Sequence, residues 1–125
     1  MTAPRVVAII GASNDRRKFG NKALRAFRHQ GYRVIPVNPH EKRVEGIPAV
    51  PSVLDIEGPV DMATFYVQPD VGLSVMEQVA TKRISEVWLN PGADDPDVVQ
   101  KARSLGVEPI LACSIIGIGE NPSDY

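Results

Sequence analysis

Apolar runs alternate with amphipathic segments along the chain, and this alternation constrains the fold more than any other feature. RVVAII (5–10) is continuously apolar, whereas GNKALRAFRHQG (20–31) has helical spacing and ends at a glycine. The same pairing recurs to residue 112. The predicted strands are 5–10, 32–37, 60–67, 85–90 and 107–112, and the predicted helices are 20–31, 69–82 and 94–106. Segment 44–56 is rich in proline and predicts a short edge segment followed by a turn.

Strands that alternate with helices of this length predict βαβ units and a mainly parallel sheet. Right-handed crossovers then give a doubly wound, three-layer α/β/α domain. We expect one domain over residues 1–125, because the chain has the length of one domain and shows no repeat or linker. Ligands bind such sheets beyond the carboxyl ends of the strands. The candidate site segments are therefore 11–20, 38–43, 67–70, 90–93 and the residues after 112.

Bulk composition restricts the class of protein. A hydrophobic content of 43% and a charged content of 23% are ordinary for a globular chain. No apolar run reaches the roughly 18 residues of a membrane span, and the first strand begins too early to leave room for a signal peptide. Cys113 is the single cysteine, so no internal disulfide forms. These features together predict a cytoplasmic protein.

The net charge of −1 conceals an uneven distribution. Residues 1–45 hold ten Lys and Arg against three Asp and Glu, whereas residues 46–125 hold four against twelve. Solvated helix faces are one explanation of this division. The basic excess, however, surrounds a glycine turn, where it favours an anionic ligand. Nucleic acid is not expected, because the whole chain is slightly acidic and no aromatic residues lie among the cations.

The segment VVAIIGASNDRRKFG (6–20) resembles a phosphate-binding turn between a strand and a helix. Gly11 permits a tight turn and a close approach of phosphate to the backbone. Ser13 offers a hydroxyl group, and Lys18 with its neighbours Arg16 and Arg17 offers positive charge. The N-terminus of the following helix adds its dipole. An ordinary strand-to-helix turn remains the alternative for Gly11 alone.

Two features of the sequence disfavour NAD. The dinucleotide pattern G-x-G-x-x-G is absent, because Gly11 is followed by Ala12 and Ser13 and the next glycine is Gly20. The end of the second strand, where NAD sites place an acid for the ribose hydroxyls, holds Asn38. The basic residues that follow leave NADP open on charge alone. A hydride-transfer enzyme would also need a substrate pocket with an acid, a base or a polarising group, and we expect no second domain in residues 1–125 to supply one.

Several motifs in a fixed order carry a resemblance to a known family. They are VVAIIGAS with its delayed glycine, GYRVIPVNP (31–39), GIPAVPSVLDI (46–56), WLNPGA (88–93) and Cys113 near the last strand. Together they resemble the small stand-alone CoA-binding proteins, which are related to the CoA-binding N-terminal domain of the succinyl-CoA synthetase alpha subunit. The resemblance covers essentially the whole chain. It implies a Rossmann-like fold that binds coenzyme A or an acyl-CoA by its nucleotide end.

Carried over by motif, the resemblance assigns the ligand in three parts. The diphosphate would contact Gly11, Ala12, Ser13 and Lys18 of the first loop, to which the residues themselves add Arg17 and Gly20 as candidates. The 3′-phosphoadenosine would lie near Asn38, Pro39 and Lys42 of the second loop, where His40 is a candidate contact to a ribose or a phosphate. Two further loops would close over the remainder, at Val67, Gln68, Pro69, Asn90, Pro91 and Gly92. Gln68 and Asn90 depart from the family, which commonly has proline and glutamine there, but both loops keep a proline.

No complete active site is predicted. The sequence shows no Ser-His-Asp spacing, no metal-binding cluster and no carboxylate pair at the strand ends. We therefore expect a CoA-binding domain that is not itself an enzyme. A small NADP-dependent oxidoreductase and a non-catalytic subunit of an acyl-CoA synthetase are the alternatives, and the partner is left open between a homodimer and a larger acyl-CoA enzyme.

Cys113 is the one residue with reactive potential, and two interpretations of it compete. Free cysteines are usually buried and pack as small hydrophobic groups. Cys113 also follows the last predicted strand, so it is expected at the rim of the ligand cleft. The second interpretation is that oxidation joins its thiol to that of coenzyme A as a mixed disulfide.

Overall fold

A five-stranded parallel sheet forms the centre of the computed structural model, which describes residues 3–125. The strands in chain order are β1 (Val6–Ile10), β2 (Arg33–Val37), β3 (Arg43–Val44), β4 (Ile47–Pro48), β5 (Met62–Phe65), β6 (Glu86–Leu89) and β7 (Ile110–Leu111). The helices are α1 (Phe19–His29), α2 (Pro69–Lys82), α3 (Pro96–Ser104) and α4 (Ser114–Gly117). Strands β3 and β4 form a separate antiparallel hairpin.

The strands of the large sheet are arranged in the order β2-β1-β5-β6-β7. The chain leaves β1 for β2 on one side and then crosses to β5 on the other, so the order reverses between β1 and β5. The register aligns Ile10 with Val37 and with Phe65, and the carboxyl ends of three neighbouring strands are therefore level. This arrangement confirms the predicted doubly wound, Rossmann-like fold and places the switch point beside Gly11.

Helices cover both faces of the sheet, and alternate residues of β1 pack against each layer. Val7 and Ile9 belong to a core cluster with Leu24 and Phe27 of α1. Ala8 and Ile10 face a second cluster, which contains residues of α2 and α3. A strand buried on both faces needs apolar side chains at every position, which explains the unbroken run in the sequence.

The structure corrects two predicted elements near the sheet edges. The last strand contains only Ile110–Leu111 instead of 107–112, because it pairs on one side only and the chain then turns into α4. Cys113 consequently lies after the strand, as the residue that precedes α4. The segment predicted over 44–56 belongs to the β3–β4 hairpin, which begins at Arg43, and to a short 3₁₀ helix over Val53–Asp55. Val50 between them pairs with Val37 of the edge strand β2.

Close contact between Gly11 and Gly20 fixes the start of α1 against the end of β1. A Cβ atom on Gly20 would lie 2.3 Å from the carbonyl oxygen of Gly11. Gly11 has a φ of +87°, and a Cβ there would lie 2.5 Å from the carbonyl oxygen of Tyr66. Both obstacles are backbone atoms, which have little freedom to move. Glycine is therefore required at each position.

We expect G20A to lower the free energy of unfolding by roughly 1–3 kcal/mol, because the added methyl group has no space. Gly72, also in the first turns of a helix, is the matched control: its added Cβ would lie 3.4 Å from a side-chain carbon of Val98. G72A is expected to be neutral or to stabilise by up to about 1 kcal/mol through helix propensity. Chemical denaturation of both variants measures this difference, and equal effects would contradict the contact.

Candidate functional site

A cleft of about 450 Å³ opens at the carboxyl ends of β1 and β5, at the switch point of the sheet. We call it the main cleft. Its lining comes from the first loop, the end of β2 and the loops after β5 and β6. The lining residues are Gly11, Ser13, Lys18, Phe19, Gly20, Asn38, Tyr66, Val67, Gln68, Pro91, Gly92 and Ala93. Lys18 supplies the charge in this set, which contains no carboxylate.

The N-terminus of α1 points positive charge at the main cleft. Lys18 precedes the helix, and no side chain caps it by a hydrogen bond. The first N–H groups of a helix lack partners within the helix and carry the positive end of its dipole. The first turn of α1 contains no acidic residue, whereas α2 and α3 begin with Asp70 and Asp97. The dipole of α1 is therefore left available to an anion.

Arg16 and Arg17 contribute less positive charge than the sequence suggests, because each forms an ion pair. The nitrogen Nη2 of Arg16 lies 2.7 Å from Oε1 of Glu45, and that of Arg17 lies 3.0 Å from Oδ2 of Asp15. Hydrogen bonds from Arg17 lower the pKa of Asp15 to about 2. Arg16 and, less strongly, Asn21 lower the pKa of Glu45. Both carboxylates are therefore ionised at neutral pH and keep the arginines paired.

Lys18 differs from its two neighbours. Within residues 3–125 it forms no ion pair, and it lines the main cleft. Of the three consecutive cations, it is the one that the fold presents to a ligand.

Two asparagines hold the first loop in place. Asn14 donates a hydrogen bond to the carbonyl oxygen of Arg43 at 2.8 Å and accepts one from the N–H of Glu45 at 3.0 Å. The buried Asn21 donates to the carbonyl oxygen of Ser13 at 2.8 Å. The loop is thus tied both to the β3–β4 hairpin and to α1.

Asn38 joins the first and second loops at the position where NAD sites carry an acid. Its Nδ2 donates to the carbonyl oxygen of Ala12 at 2.8 Å, and its Oδ1 accepts from the N–H of His40 at 2.7 Å. The side chain is half-buried and faces the main cleft while it makes these bonds. One amide hydrogen and one acceptor lone pair remain for a ligand.

A smaller cavity of about 110 Å³ adjoins the main cleft. We call it the side cavity. Its walls are Phe19, Tyr66, Asn90, Pro91 and Cys113. Phe19, Tyr66 and Pro91 also line the main cleft, so the two spaces share one wall.

Hydrogen-bonded polar groups form the floor beneath the side cavity. Ser114 exchanges hydrogen bonds with Thr64 at 2.7 Å and with the phenol of Tyr66 at 2.9 Å. Asn90 donates to Thr64 at 2.7 Å and accepts from the N–H of Ser114 at 2.8 Å. Burial raises the pKa of Tyr66 to about 12, so its hydroxyl stays protonated at neutral pH.

The structure brings together most of the residues chosen from sequence. Those on the main cleft or the side cavity are Gly11, Ser13, Lys18, Gly20, Asn38, Val67, Gln68, Asn90, Pro91, Gly92 and Cys113. The others line neither space: Ala12, Arg17, Pro39, His40, Lys42 and Pro69. Ala12 is fully buried, whereas the Arg17 side chain is 90% exposed. His40 and Lys42 are exposed on the second loop, outside the main cleft.

Sequence reasoning missed Phe19 and Tyr66, the two aromatic residues shared by both spaces. Tyr66 was placed inside a strand predicted over 60–67, whereas β5 ends at Phe65. Phe19 was passed over between Lys18 and Gly20, although its ring is 53% exposed. A large apolar residue between a cation and a required glycine was the available signal.

Residues 3–125 offer neither a membrane-spanning helix nor a cluster of metal-binding side chains. The described helices are all too short or too polar to cross a membrane. No group of three or more His, Cys, Asp or Glu side chains is placed to hold a metal ion in this part of the chain.

Comparison with known proteins gives a family and several relatives. Residues 5–118 match the family described as "CoA binding domain". The alpha subunit of ADP-forming acetate–CoA ligase II from Pyrococcus furiosus is 45% identical over 65 residues, which are 51% of this chain and 14% of that protein. The chain thus corresponds to a small part of this ligase subunit.

Solved structures show the same fold. A conserved hypothetical protein from Pyrococcus furiosus superposes with a TM-score of 0.82 at 28% identity, over 92% of this chain and 99% of that one. The dinucleotide-forming acetyl-coenzyme A synthetase 1 from Ca. Korarchaeum cryptofilum, in complex with phosphate and ADP, gives a TM-score of 0.75 at 26% identity. That match covers 87% of this chain and 26% of the synthetase.

Proposed function

This chain belongs to the CoA-binding domain family, and from that membership we propose that it binds coenzyme A or an acyl-CoA in the main cleft. The charge of the cleft supports the proposal most directly. Lys18 and the uncapped N-terminus of α1 converge there, and no carboxylate lines it. Such a site favours a diphosphate. Binding of the ligand includes no chemical step, and the chain is proposed to act as a ligand-binding domain without an active site of its own.

The three parts of coenzyme A fit three regions of this edge of the sheet. We assign the diphosphate to Gly11, Ser13 and Lys18, where the start of α1 lies beside a cation that forms no ion pair within residues 3–125. The 3′-phosphoadenosine is assigned to the second loop, between Asn38 and Lys42. The pantetheine arm then runs between the loops after β5 and β6, and Pro39, His40, Arg17 and Pro69 stand at the margins of this path.

The first test is thermal stability in the presence of ligand. We expect coenzyme A to raise the midpoint of unfolding, because a ligand that binds only the folded state stabilises it. NAD at the same concentration is expected to have a smaller effect, because Asn38 replaces the acid that would bind the ribose hydroxyls. A larger shift with NAD or NADPH than with coenzyme A would overturn the proposal in favour of an oxidoreductase.

Charge variants separate the two phosphate groups. K18A should weaken coenzyme A and dephospho-CoA alike, because both carry the diphosphate. Replacing Lys42 and Arg43 by alanine should weaken coenzyme A more, because dephospho-CoA lacks the 3′-phosphate. Each lost charge-assisted hydrogen bond is expected to cost about 1.5–3 kcal/mol where water is excluded.

Calorimetric titration of both ligands measures these losses. K101A is the matched control, because Lys101 lies on α3, where it is paired with Glu77, and should not affect binding. Equal losses of both ligands in the Lys42–Arg43 double variant would refute the assignment of the 3′-phosphate to the second loop.

Cys113 is proposed to lie near the thiol of the bound ligand, because it lines the side cavity. A mild two-electron oxidant such as hydrogen peroxide would join its thiol to that of bound coenzyme A as a mixed disulfide, with the two thiol protons and two electrons passing to the oxidant to give water. At equal thiol and oxidant concentrations, we expect coenzyme A to label the protein faster than glutathione. K18A should reduce this difference in labelling rate, because it weakens the binding of coenzyme A that precedes the reaction.

Intact-mass spectrometry over time gives both rates, and a reductant should remove the adduct. Equal labelling rates for coenzyme A and glutathione in the unmodified protein, or no adduct of coenzyme A mass, would contradict the proposed position. Cys113 would then serve only to pack against its neighbours.

A non-catalytic component of an acyl-CoA synthetase is the second candidate function. The match to one seventh of a ligase subunit favours it, because the remaining parts of such an enzyme would come from other chains. The two candidates share the same ligand site. They differ in whether a larger enzyme or a second copy of this chain is the partner.

A further inference from the structure

The side cavity has a size and a chemical character that restrict what it accepts. Its volume of about 110 Å³ is below the roughly 150 Å³ of an engineered apolar cavity that binds one benzene molecule. A thiol or an acetyl group fits a space of this size. A long alkyl chain does not.

The walls of the side cavity offer no charge to a ligand. None of the five lining residues is a cation or a carboxylate at neutral pH, since Tyr66 remains protonated. The amide of Asn90 is occupied by Thr64, by the carbonyl oxygen of Phe65 and by the N–H of Ser114. In residues 3–125 no buried side-chain nitrogen or oxygen lacks a hydrogen-bond partner. A ligand carboxylate would enter this space without compensation, at a large cost in desolvation.

Phe19, Tyr66 and Pro91 form the wall that the side cavity shares with the main cleft. Phe19 is 53% exposed and lies outside the buried core. Because Lys18 also lines the main cleft, a ligand whose phosphates contact Lys18 reaches the side cavity past this shared wall.

We propose that the side cavity selects coenzyme A carrying a free thiol or a short, uncharged acyl group, and that Phe19 sets the length limit. The inference rests on the proposed function, because it assumes that the phosphates of the ligand lie in the main cleft. The proposal defines the class of ligand. The site accepts coenzyme A and acetyl-CoA, and it excludes acyl-CoA compounds whose acyl group ends in a carboxylate or has a medium-length chain.

Titration calorimetry of the full chain with coenzyme A, acetyl-CoA, succinyl-CoA and octanoyl-CoA tests the selection. Coenzyme A and acetyl-CoA are expected to bind within about threefold of each other. Succinyl-CoA and octanoyl-CoA should each bind at least about tenfold more weakly, one for its charge and the other for its length. Binding of either within about threefold of coenzyme A overturns the inference and leaves the proposed function intact. Failure of all four ligands to bind overturns the proposed function itself.

Variants of Phe19 test the length limit separately. F19A should bring octanoyl-CoA closer to acetyl-CoA in affinity while succinyl-CoA stays weak, because removal of the ring adds space but no charge. F19L keeps most of the bulk and should keep the discrimination. An unchanged ratio of octanoyl-CoA to acetyl-CoA affinity in F19A would show that Phe19 does not set the limit.

Discussion

The contact between the backbone of Gly11 and Gly20 fixes the first loop and the start of α1, which together supply the charge of the candidate site. In dinucleotide-binding turns, the last glycine of the short motif allows the helix to pack closely on the strand. Here Gly20 has that role, nine residues after the first glycine. The residues between them form a longer loop, which contains the three consecutive cations and contacts the β3–β4 hairpin. The late position of Gly20 therefore allows a longer loop to connect the strand and the helix while the two elements keep their usual close contact.

The local electrostatics differ from the charge count of the sequence. Ten basic residues in the first 45 suggest a strongly positive loop, but Asp15 and Glu45 neutralise two of the three consecutive cations. Within the main cleft, the remaining positive potential comes from Lys18 and from the start of α1. One side chain and the backbone dipoles of a helix therefore favour an anion at the first loop, separately from the charges of Lys42 and Arg43 on the second loop.

Central elements were predictable because short-range signals agree with their tertiary environment. Helix α2 was predicted at its observed bounds, since Pro69 begins it, and β1 was evident from its unbroken apolar run. The length of the last strand was overestimated. An edge strand pairs with one neighbour only, and the extent of that pairing cannot be predicted from the local amino-acid composition.

The residues of the candidate site could be predicted only as accurately as the ends of the strands that they follow. Glycines and cations of the first loop were found because they follow β1 directly. Tyr66 was missed by a two-residue error in the end of β5, which moves a side chain from a strand to a cleft. The pairing of Arg16 with Glu45 joins residues far apart in sequence, so its effect on charge required the three-dimensional structure.

The ties made by Asn14 and Asn21 have a consequence for the response of the protein to ionic strength. Amide hydrogen bonds involve no net charge, so added salt scarcely weakens them, whereas exposed attractions between full charges are screened over about 10 Å at 0.1 M salt. The first loop is held by both kinds of interaction, because the bonds from Asn14 and Asn21 to carbonyl oxygens act beside the ion pair of Arg16 with Glu45. Its attraction for an anion depends on charge alone. Added salt therefore weakens the attraction for an anion more than it weakens the attachment of the loop, which keeps its amide hydrogen bonds.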